Sequence, residues 1–211
     1  MTQTPPTGTA RKARGSTRTN MLVSAAEVLR ERGAAGVTID EVLARSGAPR
    51  GSVYHHFPEG RSQILREALD YAGYEISASL EEAAKESTFV LLRRYVQLWE
   101  NALLTSDYTA GCPVLAAAVG SGEDEHQLTS VAGEIFSRWR EATKECYLRD
   151  GFEPAEASAL ADTTLAAMEG AVVLCRSVRS LQPLHDVTAQ LEFLIKAKEF
   201  VTTFGVPTPN A

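Results

Sequence analysis

The amino-acid sequence predicts an all-α protein, with a small three-helix domain at the N-terminus and a larger helical domain after it. Three observations support this prediction. Apolar residues recur every three or four positions in one stretch after another, as they do on one face of a helix. Gly, Pro and capping residues separate these stretches. No stretch alternates apolar and polar residues over the length of a strand, so we expect no strands.

The predicted domain boundaries follow the composition of the 211-residue chain. Residues 1–15 are rich in Thr, Pro and Gly and include three basic side chains, so they are expected to form a flexible basic arm. Residues 16–66 form the predicted small domain and residues 67–205 the larger one, with the boundary inside a long helix. Residues 206–211 are a predicted tail.

The composition excludes several classes of protein. Hydrophobic residues make up 44% of the chain and charged residues 23%, values typical of a folded globular protein and not of disordered or collagen-like chains. Uninterrupted apolar runs are far shorter than a membrane span, and no apolar signal segment follows the basic N-terminus. We therefore expect a cytoplasmic protein without a membrane partner.

Cysteine and histidine usage predicts neither a disulfide framework nor a metal site. The three cysteines, Cys112, Cys146 and Cys175, are an odd number at wide spacing, which fits reduced thiols. His55 and His56 are adjacent, and adjacent helical residues point about 100° apart, so they cannot share one ion. No P-loop or glycine-rich dinucleotide motif occurs, so no cofactor is expected.

The net charge of -6 conceals an asymmetry along the chain. Residues 1–66 carry ten Lys or Arg and five acidic side chains, a net charge of +5, which leaves -11 for the remainder. A basic N-terminal third on an acidic body is typical of a protein that meets a polyanion at one end. Chance clustering gives the same numbers, so charge alone does not decide between these interpretations.

The first two helices are predicted from their apolar spacing and their caps. A helical stripe begins at Met21 and stops at Gly33, a good C-terminal cap residue. Thr38 and Glu41 have the spacing of a capping box, in which Thr38 accepts from the third backbone N–H and Glu41 reaches back. The second helix is predicted to end at Gly47.

The remaining helices are marked by proline starts and glycine stops. Pro49 suits the first position of a third helix, which is predicted to run to His55 or His56 and to end before Phe57. A long fourth helix follows Gly60 and continues past residue 81. Further helical segments are predicted over residues 92–103, 114–120, 128–146, 154–177 and 183–203.

Two short helices joined by a tight glycine turn describe a helix-turn-helix, although an ordinary helical hairpin has the same pattern. The second helix carries Arg50, Ser52, Tyr54 and His55. Gly51 and Ser52 keep its surface low near the helix N-terminus, where backbone N–H groups and the helix dipole favour phosphate. Arg50 is the best candidate to reach a base edge, because a guanidinium binds O6 and N7 of guanine in a bidentate manner.

A resemblance to TetR-type transcriptional repressors rests on two runs, Thr38-Ile-Asp-Glu-Val and Ser46-Gly-Ala-Pro-Arg-Gly-Ser-Val-Tyr-His-His-Phe-Pro58. A subgroup of multidrug-efflux regulators that includes LmrA and YxaF is similar at Phe57-Pro-Glu-Gly-Arg61 and Gly111-Cys-Pro-Val114. The resemblance implies a helix-turn-helix domain, a helical ligand-binding and dimerisation domain, and a homodimer that binds double-stranded operator DNA. It also implies that a small hydrophobic effector releases the DNA, and that the regulated gene serves efflux or detoxification.

Carried over position by position, the resemblance implies which side chains contact DNA. These are Thr38, Pro49, Arg50, Gly51, Ser52, Tyr54, His55 and Arg61. Many members of the family have Ser or Thr in place of Pro49. Proline has no hydroxyl, so it supplies neither the helix cap nor the possible phosphate contact of those residues. Simpler roles exist for three others, because Thr38 can serve only as a cap, Tyr54 only in packing and Arg61 only as a solvated charge. The basic arm can enter a minor groove or remain solvated.

The larger domain has aromatic and apolar side chains at a spacing that fits either a ligand pocket or a plain core. The candidate pocket residues are Tyr95, Trp99, Leu103, Cys112, Phe136, Trp139, Leu165 and Met168. Such a pocket would suit a hydrophobic or aromatic ligand. A stripe of small residues over 157–175, together with apolar residues over 184–195, fits either a four-helix dimer interface or the core of a monomer, and the resemblance favours the dimer interface.

Two other functions compete with that of a ligand-responsive repressor. A constitutive DNA-binding regulator would keep the helix-turn-helix and lack the pocket. A small helical thiol enzyme would use Cys112, but the sequence places no base beside it and contains no H-E-x-x-H or G-x-S-x-G motif. We therefore expect no enzymatic activity.

Overall fold

The computed structural model describes residues 14–120 and 125–205, and every regular element within these ranges is helical. The helices are α1 (Arg14–Gly36), α2 (Ile39–Ser46), α3 (Val53–His56), α4 (Arg61–Ala84), α5 (Thr88–Thr105), α6 (Pro113–Ala118), α7 (Glu125–Arg149), α8 (Pro154–Val178) and α9 (Gln182–Phe204). A 3₁₀ turn, Arg50–Ser52, leads into α3. The all-α class is confirmed. The predicted tail and all but the last two residues of the predicted arm lie outside the described residues.

α1 contains a break at the predicted residue. Gly33 has a φ of 70°, in the left-handed region that suits glycine. One turn earlier, the carbonyl of Arg30 accepts a hydrogen bond from the backbone N–H of Gly111 at 2.9 Å. The end of α1 is thereby joined to the loop that precedes α6.

α2 has both predicted ends, but only half of the predicted capping box forms. The Thr38 hydroxyl accepts from the Glu41 N–H at 3.2 Å, and Gly47 closes the helix with a φ of 63°. The Thr38 N–H donates to the Gly36 carbonyl at 3.0 Å, not to the Glu41 side chain. The Glu41 carboxylate accepts from Arg45 at 2.8 Å instead, so an ion pair replaces the local return bond.

The third helix begins differently from the prediction. Pro49 has an extended backbone, with ψ at 139°, and is the N-cap residue rather than the first helical residue. Its carbonyl accepts from the Ser52 N–H at 2.9 Å and from the Ser52 hydroxyl at 2.6 Å. A bond from residue i+3 to residue i starts a 3₁₀ turn, so α3 follows only at Val53. It ends as predicted before Phe57, whose N–H donates to the Val53 carbonyl at 2.7 Å.

A continuous apolar core joins the small N-terminal domain to the larger helical domain, here called the body. Val53 and Phe57 are fully buried in the small domain, and Trp99 and Trp139 are among the largest fully buried side chains of the body. α4 packs against α1, α5, α6 and α7. It runs without interruption across the predicted boundary between residues 66 and 67, and that division of the chain stays a prediction.

α8 is long and apolar enough, by length and composition, to cross a membrane. The expectation that no segment could do so considered only uninterrupted apolar runs, and it overlooked a helix in which apolar and small residues are mixed. α8 packs against both α7 and α9, where it buries Ala161, Met168 and Cys175. It also buries Glu169, a costly residue in lipid. These contacts are those of a core helix in a folded domain.

Candidate DNA interface and effector cavity

The helix-turn-helix presents a small polar face to solvent. Val53 and Phe57 are buried and anchor α3, while Arg50, Tyr54 and His55 are exposed. Tyr54 is 65% exposed, which favours a contact role over packing. A recognition helix enters a major groove with its N-terminal residues toward the bases. The arrangement therefore suits Arg50 for base contact and leaves Tyr54 and His55 accessible to phosphates.

Arg50 is already paired in the unbound protein. Its guanidinium donates to the Asp40 carboxylate, on the first turn of α2, at 2.6 Å, and both side chains are largely exposed. An exposed ion pair contributes little, so a guanine or a phosphate can displace Asp40. Sequence reasoning missed Asp40, because its ten-residue separation from Arg50 becomes a contact only through the turn between the two helices.

Three small residues of the predicted interface are Thr38, Ser52 and Gly51. The first two make local hydrogen bonds, and the third makes no side-chain contact. Thr38 caps α2, and Ser52 donates its hydroxyl to the carbonyl of Pro49. A hydroxyl that accepts one bond still has a proton to donate, so capping does not exclude a phosphate contact by Thr38. Gly51 is exposed, and a Cβ added there would meet no atom within 4 Å. The surrounding fold therefore does not require a glycine at position 51, and the absence of a side chain there suits the close approach of DNA.

Arg61 points into the protein rather than toward the exposed face. Its Nε donates to the Val37 carbonyl at 2.8 Å, and its Nη2 donates to the Ala34 carbonyl at 2.7 Å. The Ala34 carbonyl lies at the end of α1, and the Val37 carbonyl lies in the turn before α2. Arg61, the first residue of α4, therefore holds this turn in place. The geometry favours a positioning role over a phosphate contact or a solvated charge.

Arg45 attaches α2 to α1, and the sequence analysis did not identify it. It donates to both carboxylate oxygens of Glu31, at 2.7 and 3.0 Å, and to Glu41 at 2.8 Å. The bond from Arg45 holds the pKa of Glu31 below its usual range. Because a bidentate pair fixes orientation as well as distance, these bonds set the angle between α1 and α2.

The larger domain contains a cavity of about 340 Å³ bordered by α6, α7 and α8. It is lined by Leu115, Phe136, Ser137, Arg140, Asp162, Leu165, Ala166 and Glu169. Phe136 and Leu165 are two of the predicted pocket residues. Arg140 donates to Asp162, and also to Ser158 at 2.6 Å, so these two opposite charges of the cavity lining neutralise each other.

The structure does not bring the eight predicted pocket residues together. The plain-core alternative is favoured for four fully buried side chains, Tyr95, Leu103, Trp139 and Met168. Trp99 lines a separate cavity of about 340 Å³, and Cys112 lines another of about 270 Å³. Periodicity identifies the buried face of a helix, but it does not show which buried side chains border a void.

Cys112 has the surroundings of a structural thiol. It is buried, and burial raises its pKa well above the ordinary value, which disfavours the reactive thiolate. Its Sγ accepts from the Leu115 N–H at 3.3 Å and caps the start of α6. This geometry gives no support to the thiol-enzyme alternative.

Glu169 is the cavity residue that sequence reasoning missed. The residue is 6% exposed, and within the described part of the chain no N–H or O–H group donates to either carboxylate oxygen; the polar group that acts on it is the thiol of Cys112, a weak donor. Burial raises the pKa of Glu169 to about 7, and the thiol of Cys112 offsets only part of this shift. A signal for it exists in the sequence, because Asp162, Glu169 and Arg176 are seven residues apart and therefore lie on one face of α8.

The same face of α8 reaches the helix-turn-helix domain. Arg176 donates to the carbonyl of Glu31, in α1, at 3.2 Å and to the carbonyl of Thr109 at 2.6 Å. Its guanidinium also lies against Gly111, where an added Cβ would come within 2.9 Å of it. α8 therefore borders the cavity at Glu169 and contacts α1 at Arg176, about two helical turns further on.

Comparison with protein families matches both parts of the chain. Residues 21–68 match the family described as bacterial regulatory proteins, tetR family. Residues 89–190 match the family described as transcriptional regulator LmrA/YxaF-like, C-terminal domain. The two matches fall on the helix-turn-helix and on the helices that surround the cavity.

Individual relatives agree with these matches. The chain is 41% identical over 186 residues to the HTH-type transcriptional regulator Rv0196 of Mycobacterium tuberculosis, covering 86% of this chain and 95% of the relative. It is 23% identical to the regulator YxaF of Bacillus subtilis, over 88% and 98% of the two chains. A solved TetR transcriptional regulator from Chloroflexus aurantiacus has a TM-score of 0.72 and 26% identity, over 90% of this chain and 97% of that one. The chain belongs to the TetR family of bacterial transcriptional regulators and has an LmrA/YxaF-like C-terminal domain.

Proposed function

We propose that this regulator is a ligand-responsive repressor that binds operator DNA as a homodimer in the cytoplasm and is released by a small hydrophobic effector. The observation that carries the proposal is the cavity of about 340 Å³, one of whose walls is a helix that also contacts the helix-turn-helix domain. The resemblance to LmrA and YxaF, both named as transcriptional regulators, is the basis for proposing an efflux or detoxification gene as the target.

An apolar face that the monomer leaves exposed supports dimerisation. Most of the stripe predicted for the interface faces inward instead, since Ala171 and Leu191 are 1% and 3% exposed. α8 and α9 expose Leu194, which belongs to the predicted stripe, together with five other apolar residues, Val173, Leu174, Val178, Phe193 and Val201. A second copy related by a two-fold axis would bury this set in a four-helix bundle. It would also supply the second recognition helix that a palindromic operator requires.

The path from the cavity to the DNA supports a response to ligand. An effector in the cavity contacts α8, and a shift of α8 reaches α1 through Arg176. The spacing of the two recognition helices in a dimer then changes, and successive half-sites about 34 Å apart are no longer matched. A ligand moves this equilibrium only by its differential affinity for the two states, and couplings of about 1–3 kcal/mol would weaken operator binding roughly 5- to 150-fold.

The test begins with selection of bound fragments from the source genome, which yields the operator. Apolar compounds are then titrated into the protein–operator complex, with fluorescence anisotropy as the measure of release, and into the free protein, with thermal melting as the measure of binding. We expect compounds that raise the melting temperature to release the operator. Compounds that bind the protein equally well with and without operator would contradict this proposal and favour the constitutive regulator.

Arg50 provides the test of base recognition. Arg50→Ala is expected to weaken binding to the selected operator by about 1–3 kcal/mol and binding to random DNA much less. Asp40→Asn serves as the counterpart, because it removes the negative charge that pairs with Arg50 at 2.6 Å and should strengthen binding to both DNAs. An equal loss on both DNAs for Arg50→Ala would assign Arg50 to a phosphate.

A further inference from the structure

Among the described residues, Glu169 is a buried acid without a charged partner, and it lies on the wall of the cavity. Within the described residues no N–H or O–H group donates to its carboxylate, and the thiol of Cys112, a weak donor, is the polar group that acts on it. The residue also lines a more open groove of about 610 Å³ on the exposed side of α8. Removing an ionised carboxylate from water without pairing it costs several kcal/mol. A fold retains such a group at a cavity at a cost in stability, and a bound molecule that supplies the missing partner recovers that cost.

The other charges near Glu169 are already balanced or neutral. Arg140 is paired with Asp162, so neither is available to compensate a further charge. Tyr95 and Cys112 face Glu169 from α5 and from the start of α6, and burial raises the pKa of both, so they are uncharged at neutral pH. Among the described residues that line the cavity, the charge left unbalanced is that of Glu169.

The rest of the lining is suited to an apolar body. Leu115, Phe136, Leu165 and Ala166 supply aliphatic and aromatic surface, which a hydrocarbon or ring system would cover. A ligand with a carboxylate would face a like charge. A neutral alcohol would offer one hydrogen bond but no compensating charge, whereas an ammonium offers both.

We propose that the effector cavity selects a lipophilic amine, whose apolar part packs on Leu115, Phe136 and Leu165 while its ammonium pairs with Glu169. The inference rests on the proposed function, in which this cavity is the effector site. The ammonium donates to a carboxylate that is itself buried, and a charged hydrogen bond to a buried group is stronger than one in water. The ligand class is thus set by one residue of α8.

The pairing links ligand affinity to pH. With the pKa of Glu169 at about 7, the carboxyl is mostly protonated at pH 6 and mostly ionised at pH 8, while an alkyl ammonium stays charged at both. On α9, His185 is paired with Glu100 at 2.5 Å, and both line a different cavity. Amine affinity should therefore rise roughly tenfold between pH 6 and pH 8, following the ionised fraction of Glu169.

The experiment uses a matched pair of probes, 2-(1-naphthyl)ethylamine and 2-(1-naphthyl)ethanol, titrated calorimetrically into the full-length protein. We expect the amine to bind the wild type at least tenfold more tightly than the alcohol at pH 8. Glu169→Gln should abolish that preference and leave alcohol binding unchanged. Glu145→Gln, an exposed acid on α7, is the matched control and should behave as the wild type does.

A second measurement tests the same pairing without a variant. Amine titrations of the wild type at pH 6 in buffers of different ionisation enthalpy should show release of about one proton per ligand bound, whereas the alcohol should release none. Equal affinities of the two probes, an amine preference that survives Glu169→Gln, or failure of the amine to bind would each overturn the inference. The proposed function would still stand if other apolar compounds release the operator.

Discussion

At the scale of single residues, the burial of Glu169 makes the stability of the protein depend on pH. Desolvation raises the pKa of Glu169 from 4.5 to about 7, so the folded state holds this proton more tightly than the unfolded state does. The contribution of this group to stability is fully present below about pH 4.5 and is lost as the pH rises through 7. Since one pKa unit corresponds to about 1.4 kcal/mol, the loss is about 3 kcal/mol.

Replacing Glu169 by its neutral isostere tests this linkage. The advantage of Glu169→Gln over the wild type in free energy of unfolding should be about 2–3 kcal/mol larger at pH 8 than at pH 5, because only the wild type loses stability across this interval. Urea denaturation at the two pH values measures it, with Glu145→Gln as the exposed control. A difference between Glu169→Gln and wild type that does not change with pH would exclude Glu169 as the titrating group.

At the scale of elements, the helix-turn-helix is held by arginine side chains as well as by its apolar contacts. α3 is four residues long, far too short to be stable alone, so its position depends on its neighbours. Arg45 fixes α2 to α1, and Arg61 fixes the turn between them to α4. These bonds keep the recognition segment at a defined angle to the helix that leads into the body.

Arg61 is expected to matter for stability rather than for DNA contact. Arg61→Gln leaves the carbonyls of Val37 and Ala34 without their charged donor, and the free energy of unfolding should fall by about 1–3 kcal/mol. Arg66→Gln is the control, because Arg66 makes a 3.3 Å pair with Glu59 that should contribute less than about 1 kcal/mol. Chemical denaturation measures the stability of both variants. Equal stabilities would contradict the positioning role of Arg61.

Arg176 is the proposed link between α8, which borders the cavity, and the helix-turn-helix domain. Arg176→Ala should leave the effector affinity of the free protein unchanged. Saturating operator weakens effector binding by a certain factor, and the variant should reduce that factor. Arg179→Ala is the matched control from the end of the same helix, because Arg179 bonds Asp107 at 2.7 Å and contacts Tyr108. Effector titrations with and without saturating operator measure the factor, and a coupling that is equal in both variants would remove Arg176 from the path.

At the scale of the whole molecule, the exposed face of α8 and α9 is the proposed dimer interface. A charge at Ala171 or Leu191, inside the stripe predicted from the sequence, would enter the core of the monomer, where both side chains are buried. Such a variant would unfold and say nothing about dimerisation. Leu174 is 53% exposed and Phe193 is 64% exposed, so a charge at either position spares the core.

Leu174→Glu is therefore the informative variant. We expect sedimentation equilibrium to show monomers and operator affinity to fall with them, because one recognition helix in one groove binds weakly. Leu104→Glu, an apolar side chain that is 56% exposed at the end of α5, should remain dimeric. Native monomers that bind the operator tightly would contradict the dimer, and a dimeric Leu174→Glu would place the interface elsewhere.

The local rules of helix formation account for what the sequence by itself determined. Apolar spacing, the Thr38 cap and the glycines at positions 33 and 47 predict the helices and the helix-turn-helix, because these signals act within a few residues of one another. The run of residues through Arg50 and Tyr54 also carries the family resemblance. The exposed recognition face follows directly from that local order.

Only the tertiary structure decided which side chains meet across the fold. The pair of Arg50 with Asp40, the inward direction of Arg61 and, within the described part of the chain, the burial of Glu169 away from any charged partner depend on residues that are far apart in the chain or on different helices. The same holds for the inward face of α8, which sequence periodicity could not distinguish from an interface, because a core and a dimer contact require the same apolar spacing. Burial and pairing are properties of the packed molecule, and they decide which charge faces a cavity without a partner.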